Sequence, residues 1–397
     1  MRTECRGCEG RVLTEILNLG PLPLAGGFLE SAEAISREQK YGLSIHVCEN
    51  CGLIQILDPV DPQVLFQDYS FSSSTIPPLV KHFEDYAAWI INSLGPRVVV
   101  EFGCNDGVLL APLARAGVTA VGVDISGNIT EIARSRGLHA YTGFFDAETA
   151  RRIREEYGPA DVVTGSNAFA HNDRPELILE GANIVLHESG HLCLEFMYAG
   201  DLLEQLQWDT LYHEHLTFYS LSTVANLLRR HGFYLANAQR LPMHGGSLRV
   251  VAARRPCPLG ADAEAILAYE NTTALNSPDS WLGFGARSLR KIGIVAEVFE
   301  ALSRTRSIWA YGAAGKATMW VNASKMNYLG AVIDSSPLRA GKLMPGTHTP
   351  IVFPEAFRKD PPDHVFITAW NYANVIRAKE EWFRGTWSTP LPDLRFF

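Results

Sequence analysis

The sequence predicts an α/β protein in which a small metal-binding module precedes two units built from a strand, a turn and a helix. Two Cys-x-x-Cys pairs within the first 51 residues indicate the module. A run of β-branched residues, Val98–Val100, leads into a glycine-containing turn and an apolar helix. A similar strand, turn and helix begin at Ser307. Strands that alternate with helices are typical of parallel sheets covered by helices.

Length and composition are those of a folded chain with a large core and more than one domain. The chain has 397 residues, of which 47% are hydrophobic and 20% charged, a normal balance for a globular protein. The formal net charge is -8. Binding of nucleic-acid phosphates requires clustered Lys and Arg, so we expect no nucleic-acid partner. No apolar stretch is long enough to span a bilayer, so we expect no membrane partner.

The first residues bear on the cellular compartment. The segment Met1-Arg2-Thr3-Glu4-Cys5 lacks the apolar core of a secretory signal peptide. We therefore expect a cytoplasmic, reducing location. In that environment paired cysteines are better interpreted as metal ligands than as disulfides.

The two cysteine pairs, Cys5-x-x-Cys8 and Cys48-x-x-Cys51, have the spacing of zinc knuckles. Four thiolates match the size and softness of zinc, although the segment between the pairs is longer than in most zinc ribbons. We expect a structural zinc, because four protein sulfurs leave no open position for a substrate. Many zinc ribbons bind nucleic acid, which is the functional alternative. Acidic residues beside both pairs weigh against it.

The turn after Val98–Val100 is the candidate cofactor site. The strand ends at Glu101, and the turn contains Gly103-x-x-x-Gly107 instead of the Gly-x-Gly-x-x-Gly of dinucleotide sites, so NAD is not favoured. The next strand, 120–123, ends at Asp124, which can accept hydrogen bonds from two ribose hydroxyls. An ordinary glycine-rich turn is the alternative. The position between two strands, the second ending in an acid, favours a cofactor.

This turn looks like the S-adenosylmethionine (SAM) turn of class I methyltransferases. The residues that would cradle the methionine and ribose end of SAM are Glu101, Gly103, Asn105 and Gly107, with Asp124 on the ribose. Phe145 follows the third strand, where methyltransferases of this fold place groups beside the adenine ring. Asn167 follows the fourth strand, at the edge where open α/β sheets bind ligands.

A polar, aromatic junction precedes the SAM-type turn. Residues 65–75 have no clear period and contain the candidate substrate contacts Tyr69, Phe71 and Ser73. Serines at a domain junction are usually turn and cap residues, and hydrogen bonding to a polar substrate is the alternative. Farther upstream, prolines and glycines between Leu17 and Phe28 predict an extended, irregular segment. It is either a loop across the zinc module or one wall of the substrate cleft.

The segment Tyr212-His213-Glu214-His215 places four ionisable or hydroxylated residues in a row beyond the fifth strand. Histidine can take a proton near neutral pH, and tyrosine can donate to a developing oxyanion. An extended backbone would put the two histidines on one face and the other two residues on the opposite face, whereas a helix or turn would not. Three interpretations compete: catalytic acid and base residues, structural histidines, and a metal-binding pair. The metal pair lacks a third ligand at a recognisable spacing.

The second strand–turn–helix unit follows a helical stretch that begins at about Arg255. Its turn, Gly312 to Lys316, is too short for a Walker A loop. It still offers a helix N-terminus that can receive a phosphate, with Lys316 adding charge. A compact turn with a solvated lysine is the alternative. The predicted domains are a zinc-binding module over residues 1–66, a SAM-dependent methyltransferase domain over 67–254 and a C-terminal α/β domain over 255–397.

Taken together, the ordered motifs resemble the SAM-dependent sugar C-methyltransferases of antibiotic deoxysugar pathways, the C-3'-methyltransferase family. The resemblance spans nearly the whole chain, and the ordered set is specific although each motif alone is not. The motifs that carry it are the two cysteine pairs, residues 101–107, Asn167-Ala168-Phe169-Ala170-His171, Tyr212-His213-Glu214-His215, Gly245-Gly246-Ser247-Leu248-Arg249 and Tyr311–Lys316. The family implies an α/β fold with a zinc-binding N-terminal module, a class I SAM methyltransferase Rossmann-like domain and a second, C-terminal α/β Rossmann-like domain.

The resemblance also implies a substrate class and a set of catalytic residues. The family's substrates are nucleotide-linked, usually dTDP-linked, 4-keto-6-deoxy sugars. Its catalytic Tyr, Glu and His would here be Tyr212, Glu214 and His215. His171 and Lys316 are further candidate substrate contacts.

One position departs from the family pattern. The family's junction motif has a tyrosine near the reacting carbon. This chain has Phe71 at the corresponding place and Tyr69 two residues earlier. Phe71 has no hydroxyl, so a substrate contact or oxyanion hydrogen bond that the family's tyrosine makes at that point is not expected from this residue.

The expected reaction is transfer of a methyl group from SAM to a sugar carbon beside the C-4 ketone; the family resemblance implies C-3', and C-5' is the alternative. The ketone acidifies the proton on that carbon, because its loss gives an enolate. His215 is the expected base, and Tyr212 or Glu214 would orient it or support the enolate oxygen. An O- or N-methyltransferase acting on a small molecule is the alternative among enzymes. A zinc-ribbon protein that binds nucleic acid or another protein is the alternative of a different class.

Overall fold

The computed structural model describes residues 2–66, 69 and 71–397. The predicted boundary between residues 66 and 67 therefore falls at a position outside the described residues. The N-terminal elements are β1 (Leu13–Pro23), α1 (Ala32–Ile35), β2 (Lys40–Cys48), β3 (Ile54–Ile56) and α2 (Pro62–Phe66). A strand from much later in the chain, β9 (Thr217–Phe218), pairs with β3. Within the described residues these strands form an antiparallel sheet in the order β1-β2-β3-β9.

Much of the proline-rich segment from Leu17 to Phe28 is strand, so the predicted irregular loop is wrong for its first half. β1 pairs with β2 as far as Pro23, with an irregularity between Asn18 and Pro21. Gly20 lies in that irregularity at φ +68°, which glycine adopts without strain. β1 is an edge strand, where a proline can point its missing N–H away from the sheet.

The central unit is a mostly parallel sheet with intervening helices. Its elements are α3 (Pro77–Leu94), β4 (Val98–Phe102), α4 (Leu110–Arg115), β5 (Thr119–Asp124), α5 (Gly127–Ser135), β6 (His139–Thr142), α6 (Ala147–Tyr157), β7 (Ala160–Ser166), α7 (Pro175–Val185), β8 (Leu186–Met197), α8 (Ala199–Glu204), α9 (Leu221–Arg230), β10 (Tyr234–Leu241) and β11 (Ser247–Ala253). As far as the chain is described, the strand order is β10-β11-β8-β7-β4-β5-β6. β4 to β8 run parallel, and β10 and β11 form an antiparallel hairpin at one edge.

The position of β4 in the sheet explains why a ligand site is expected at its end. Val99 and Val100 are fully buried, as β-branched residues are in a central parallel strand. The chain then adds β5 and β6 on one side of β4 and β7 and β8 on the other. Ligands of such sheets bind outside the carboxyl ends of the strands, at the point where the strand order reverses.

The C-terminal part repeats this architecture on a smaller scale. Its elements are α10 (Ala261–Thr272), α11 (Pro278–Ser303), β12 (Ile308–Tyr311), α12 (Gly315–Ala323), β13 (Val332–Ile333), β14 (Ile351–Val352), α13 (Pro354–Lys359), β15 (His364–Ile367), α14 (Ala373–Lys379), β16 (Thr386–Thr389) and β17 (Arg395–Phe396). The strand order over the described residues is β14-β13-β12-β15-β16-β17, and only the last pair is antiparallel. The predicted second α/β unit is confirmed, and its order reverses at β12.

The three parts share one continuous cluster of buried apolar residues. Trp208 of the central part packs edge-on against Trp320 of α12, with ring centroids 4.5 Å apart. α11 lies against β1 so closely that a Cβ on Gly285 would be 1.7 Å from the Ile16 carbonyl oxygen. These contacts join the C-terminal unit to the central part and to the N-terminal sheet. Among the described residues, no helix has the length and apolar character needed to cross a membrane.

Candidate active site

The four N-terminal cysteines converge on one point. Their Sγ atoms all lie within 4.8 Å of one another, and the Cys5–Cys51 and Cys8–Cys48 separations are both 3.6 Å. Zinc held by four sulfurs at about 2.3 Å places those sulfurs about 3.8 Å apart, so the donors fit this metal. The site is a structural zinc site, because all four positions around the ion are filled by the protein.

The zinc module connects directly to residues 212–215, the candidate catalytic segment. Ile54 and Gln55, just after the second cysteine pair, pair with Phe218 and Thr217 of β9. The Ile56 amide also donates to the Leu216 carbonyl. β9 begins two residues after His215. The cysteine loops lead directly into β3, and β3 pairs with β9, the strand that follows residues 212–215. A zinc ion bound by these loops would therefore stabilise the sheet next to the candidate catalytic segment.

The turn after β4 is closed by backbone hydrogen bonds to β5. The Gly103 amide donates to the Val123 carbonyl at 2.8 Å, and the Asn105 amide donates to Asp124 Oδ2 at 2.9 Å. Gly103 has φ +68°, and a Cβ there would lie 2.3 Å from the Cβ of Ala168. Glycine is required at this point by conformation and by space.

Two carboxylates face the end of the sheet without a counter-charge. Glu101 is 2% exposed, and its Oε2 has no hydrogen-bond partner among the described residues. Burial, with Asp124 and Asp106 nearby, raises the pKa of Glu101 well above its usual range. Burial also raises the pKa of Asp124. The unpartnered oxygen of Glu101 and the Asp124 carboxylate, both at a switch point, fit the amino and hydroxyl donors of SAM.

The remaining predicted cofactor residues lie around the same strand ends. Gly107 has φ +81°, and a Cβ there would meet Leu138 at 2.4 Å. Asn167 has φ +54° and donates its amide to the Glu195 carbonyl. Phe145 is 6% exposed and stacks on Phe102 in the core, with centroids 5.7 Å apart. A contact between Phe145 and adenine stays a prediction.

The junction lies across the SAM-type turn and is tied to it. Asn105 Oδ1 accepts from the Ser73 amide at 2.9 Å, and Asn105 Nδ2 donates to the Phe71 carbonyl at 3.0 Å. Asp106 Oδ2 accepts from the hydroxyls of Ser72 and Ser74, both at 2.5 Å. The serines around Ser73 thus anchor the turn. Both polar ends of the Asn105 side chain are engaged by this segment, so a direct contact between that side chain and a cofactor stays a prediction.

The segment Tyr212-His213-Glu214-His215 is a turn, so the division of its side chains that an extended backbone would give does not apply. The His215 amide donates to the Tyr212 carbonyl at 2.8 Å, which brings the two rings to 4.1 Å. His213 points the other way, with its Nε2 3.1 Å from the Tyr41 carbonyl oxygen. Chain reversal therefore separates the two histidines, and His213 contacts the N-terminal sheet.

His215 is held in the tautomer that a base requires. Its Nδ1 lies 2.7 Å from the Thr210 carbonyl oxygen, which can only accept, so Nδ1 carries the hydrogen and Nε2 keeps its lone pair. Nε2 has no hydrogen-bond partner among the described residues. Burial, with His171 nearby, holds the pKa of His215 well below 6.5. The His171 ring is 5.0 Å away and stacks on Phe66.

Glu214 lies against the N-terminal segment and the junction. It is 7% exposed, and burial raises its pKa from 4.5 to about 7, with a hydrogen bond from Tyr69 opposing the rise. A Cβ on Gly26 would be 3.3 Å from Glu214 Oε1. The end of the predicted irregular segment therefore does reach the candidate site, together with the Tyr69 hydroxyl.

The C-terminal unit closes the site from the other side. A Cβ on Gly315, at the start of α12, would lie 2.8 Å from Tyr212 Cζ. Lys316 Nζ is buried without a hydrogen-bond partner among the described residues and lies 4.3 Å from the centroid of the Trp370 ring. The alternative of a solvated lysine is therefore wrong.

The structure brings three further residues to this site that the sequence pattern does not identify: Asp209, His244 and Trp370. His244 has φ +57°, and burial, with Lys316 nearby, lowers its pKa to about 4. Asp209 Oδ2 accepts from the indole N–H groups of Trp320 and Trp370, each at 2.8 Å. The Gly245-Gly246 pair beside His244 permits a close backbone approach, which is a local signal for this position. Nothing local marks Asp209 or Trp370, because long-range packing brings them here.

Three family models cover most of the chain in order. A model described as a candidate zinc binding domain matches residues 5–66, one described as a methyltransferase domain matches 81–238, and one described as a C-methyltransferase C-terminal domain matches 242–392. The C-methyltransferase NovU from Streptomyces niveus is 29% identical over 99% of this chain and 96% of that protein.

Other similar proteins match a smaller share of the chain. A ubiquinone biosynthesis O-methyltransferase from Cupriavidus pinatubonensis is 30% identical over 26% of this chain and 43% of that enzyme. A crystal structure of magnesium protoporphyrin IX methyltransferase from Synechocystis PCC 6803 covers 44% of this chain and 83% of that one, at 18% identity and a TM-score of 0.35. The ordered three-domain match and the full-length relative carry the assignment. The chain has the ordered domains of a SAM-dependent C-methyltransferase, with a structural zinc module before the methyltransferase domain and an α/β domain after it.

Proposed function

We propose that the protein methylates C-3' of a dTDP-linked 4-keto-6-deoxy sugar through an enolate. The single observation that carries the proposal is His215, a buried neutral imidazole whose Nε2 is free and whose Nδ1–H is fixed by the Thr210 carbonyl. A carbon beside a ketone needs such a base before it can attack a methyl group. The resemblance to sugar C-methyltransferases supports the substrate class.

His215 would take the C-3' proton on Nε2. The resulting imidazolium would keep its Nδ1–H···O hydrogen bond to Thr210, which steadies the ring while it is charged. Glu214, with its pKa raised to about 7, can share charge with that imidazolium. Tyr212, in contact with the His215 ring, would hold the ring in place or donate to the sugar.

Bound SAM supplies the methyl group as an electrophile. The chain's residues would align the enolate carbon with it and exclude water. We assign the cofactor to Glu101, Gly103, Asn105, Gly107, Asp124, Phe145 and Asn167. We assign the sugar to Tyr69, Phe71, Ser73, His171 and Lys316, and the zinc to Cys5, Cys8, Cys48 and Cys51. We also propose the domain boundaries 1–66, 67–254 and 255–397.

The test is a panel of dTDP-4-keto-6-deoxy sugars incubated with SAM, with the products examined by mass spectrometry and NMR. We expect a gain of one methyl group, attached to C-3'. His215→Asn should reduce turnover about 1,000-fold, within the usual range for loss of a general base, and should leave S-adenosylhomocysteine binding intact.

His213→Asn is the matched control, since that ring contacts the Tyr41 carbonyl and not the site. It should keep more than half of the activity at a temperature where it is folded. Near-normal turnover by His215→Asn would overturn the base assignment. A methyl group on oxygen or nitrogen would favour the alternative of an O- or N-methyltransferase.

A further inference from the structure

The Lys316 ammonium is a buried charge without a protein acceptor. Its Nζ is shielded from solvent, and no acceptor among the described residues hydrogen-bonds it. A buried ammonium normally finds an acceptor, because an unsatisfied charge in a low-dielectric site is costly. A group that arrives with the substrate would satisfy it.

The surroundings of Lys316 hold the ammonium in place without occupying its donors. The Trp370 ring covers it at 4.3 Å, a cation–π contact that leaves the N–H groups free. Burial lowers the pKa of Lys316, and the nearby Asp209 carboxylate opposes that shift. Asp209 Oδ2 accepts from the indoles of Trp320 and Trp370, and its Oδ1 has no hydrogen-bond partner among the described residues. The lysine is thus oriented by the Trp370 ring and faces one carboxylate to which it makes no hydrogen bond.

The position of Lys316 is within reach of the base. It is the second residue of α12, and Gly315 before it touches the Tyr212 ring. That ring is 4.1 Å from the His215 ring. The start of a helix also carries partial positive charge. Positive charge is therefore concentrated beside the atom that would receive the substrate proton.

We propose, on the basis of the proposed function, that Lys316 donates to the C-4 oxygen of the bound 4-keto sugar and stabilises the negative charge that forms there. The C-3–H bond breaks and its proton goes to His215 Nε2. The electron pair forms the C-3=C-4 double bond, and the carbonyl π pair moves to the C-4 oxygen. When the methyl carbon bonds to C-3 and its bond to sulfur breaks, the ketone reforms. Lys316 stays protonated throughout.

The ketone oxygen suits this ammonium better than the sugar diphosphate does. A sugar diphosphate carries two charges, and bidentate recognition of phosphate groups favours arginine. Lys316 is a single, covered cation, and it acts electrostatically on both His215 and His244. By disfavouring protonation of His215, it also keeps the base in its active form.

The test separates deprotonation from binding. Lys316→Met and Lys316→Gln are compared with the wild type in D2O without SAM, and deuterium uptake at C-3' is followed by NMR. We expect uptake to fall about 100-fold or more, as on removal of one oxyanion donor. KM and the affinity for S-adenosylhomocysteine should change less than threefold. Lys325→Met, at the exposed end beyond α12, is the control and should match the wild type.

Uptake at the wild-type rate with a KM raised tenfold would overturn the inference and assign Lys316 to the diphosphate. Retained S-adenosylhomocysteine binding shows that each variant is folded. If the wild type neither exchanges nor methylates any sugar in the panel, the proposed function fails instead. The two failures are therefore distinguishable.

Discussion

The turn after β4 and the turn after β12 have the same construction. Gly103 donates its amide to the Val123 carbonyl, and Gly312 donates to the Ile333 carbonyl, both at 2.8 Å. In each unit the glycine follows a central strand and the acceptor ends its parallel neighbour. The same supersecondary unit is therefore used twice in one chain.

The acids at the ends of the neighbouring strands are also bound alike. Asp124 accepts from the amides of Asn105 and Ser126, both at 2.9 Å. Asp334 accepts from the amides of Ala313 and Ser336, both at 2.8 Å. Each carboxylate closes its own turn by the same pair of contacts.

The difference lies in what else each acid meets. Arg339 lies 3.4 Å from Asp334 and also donates to the Ala313 carbonyl at 3.0 Å. The strand position that holds Glu101 in the first unit is occupied by Ala310 in the second. Glu101 and Asp124 have no ion-pair partner among the described residues, whereas Asp334 faces Arg339. The proposed cofactor site therefore lies at the turn whose strand-end acids lack an arginine.

The largest expected change is in S-adenosylhomocysteine affinity, when the acid that closes each turn is replaced by alanine. Asp124→Ala should weaken S-adenosylhomocysteine binding about 100-fold, since two hydrogen bonds from ribose to a charged acceptor are lost. Asp334→Ala, the matched change, should leave that affinity within twofold and lower the unfolding temperature. Titration calorimetry measures the first quantity and scanning calorimetry the second. Equal losses of affinity in both variants would contradict the claim that the cofactor binds at the turn after β4 and not at the turn after β12.

A smaller expected effect is on the pH dependence of folding stability, through the buried carboxyl of Glu214. The native pKa of Glu214 is about 7 against an ordinary 4.5, so the folded protein keeps a proton that the unfolded chain releases between those values. Stability contributed by this group therefore falls as pH rises from about 4.5 to 7. Glu214→Gln removes the fall, and we expect a gain on the order of 1–2 kcal/mol at pH 8.

Denaturant unfolding at pH 5 and pH 8 checks this change. The Glu214→Gln variant should lose activity while it gains stability at the higher pH. A stability difference that is the same at both pH values would contradict the burial of an uncompensated carboxyl. Activity at the wild-type level would show that Glu214 has no part in the reaction.

The sequence predicts best the features that depend on local pattern. The β-branched run at Val98–Val100 and the glycines and acid after it specified the strand, turn and ligand edge. The spacing of the cysteine pairs specified the zinc site. The N-terminal strand β1 was misjudged, because prolines are tolerated at a sheet edge and edge position is a property of the whole fold.

The less predictable features depend on contacts between distant segments. Periodicity could not separate His213 from His215, because a turn reverses the chain between them. The burial of Lys316 depends on Trp370 and on the approach of Gly315 to Tyr212. These contacts join the C-terminal unit to the central one, and no spacing within either unit announces them.

The measurement that tests the central claim most directly is exchange of the C-3' proton of a dTDP-4-keto-6-deoxy sugar with solvent by the wild-type enzyme in D2O. Without SAM, one deuterium should enter at C-3', and the exchange should be lost in His215→Asn. With SAM, the new methyl group should appear on that same carbon. Methyl transfer to an oxygen or nitrogen, with no exchange at C-3', would contradict the account.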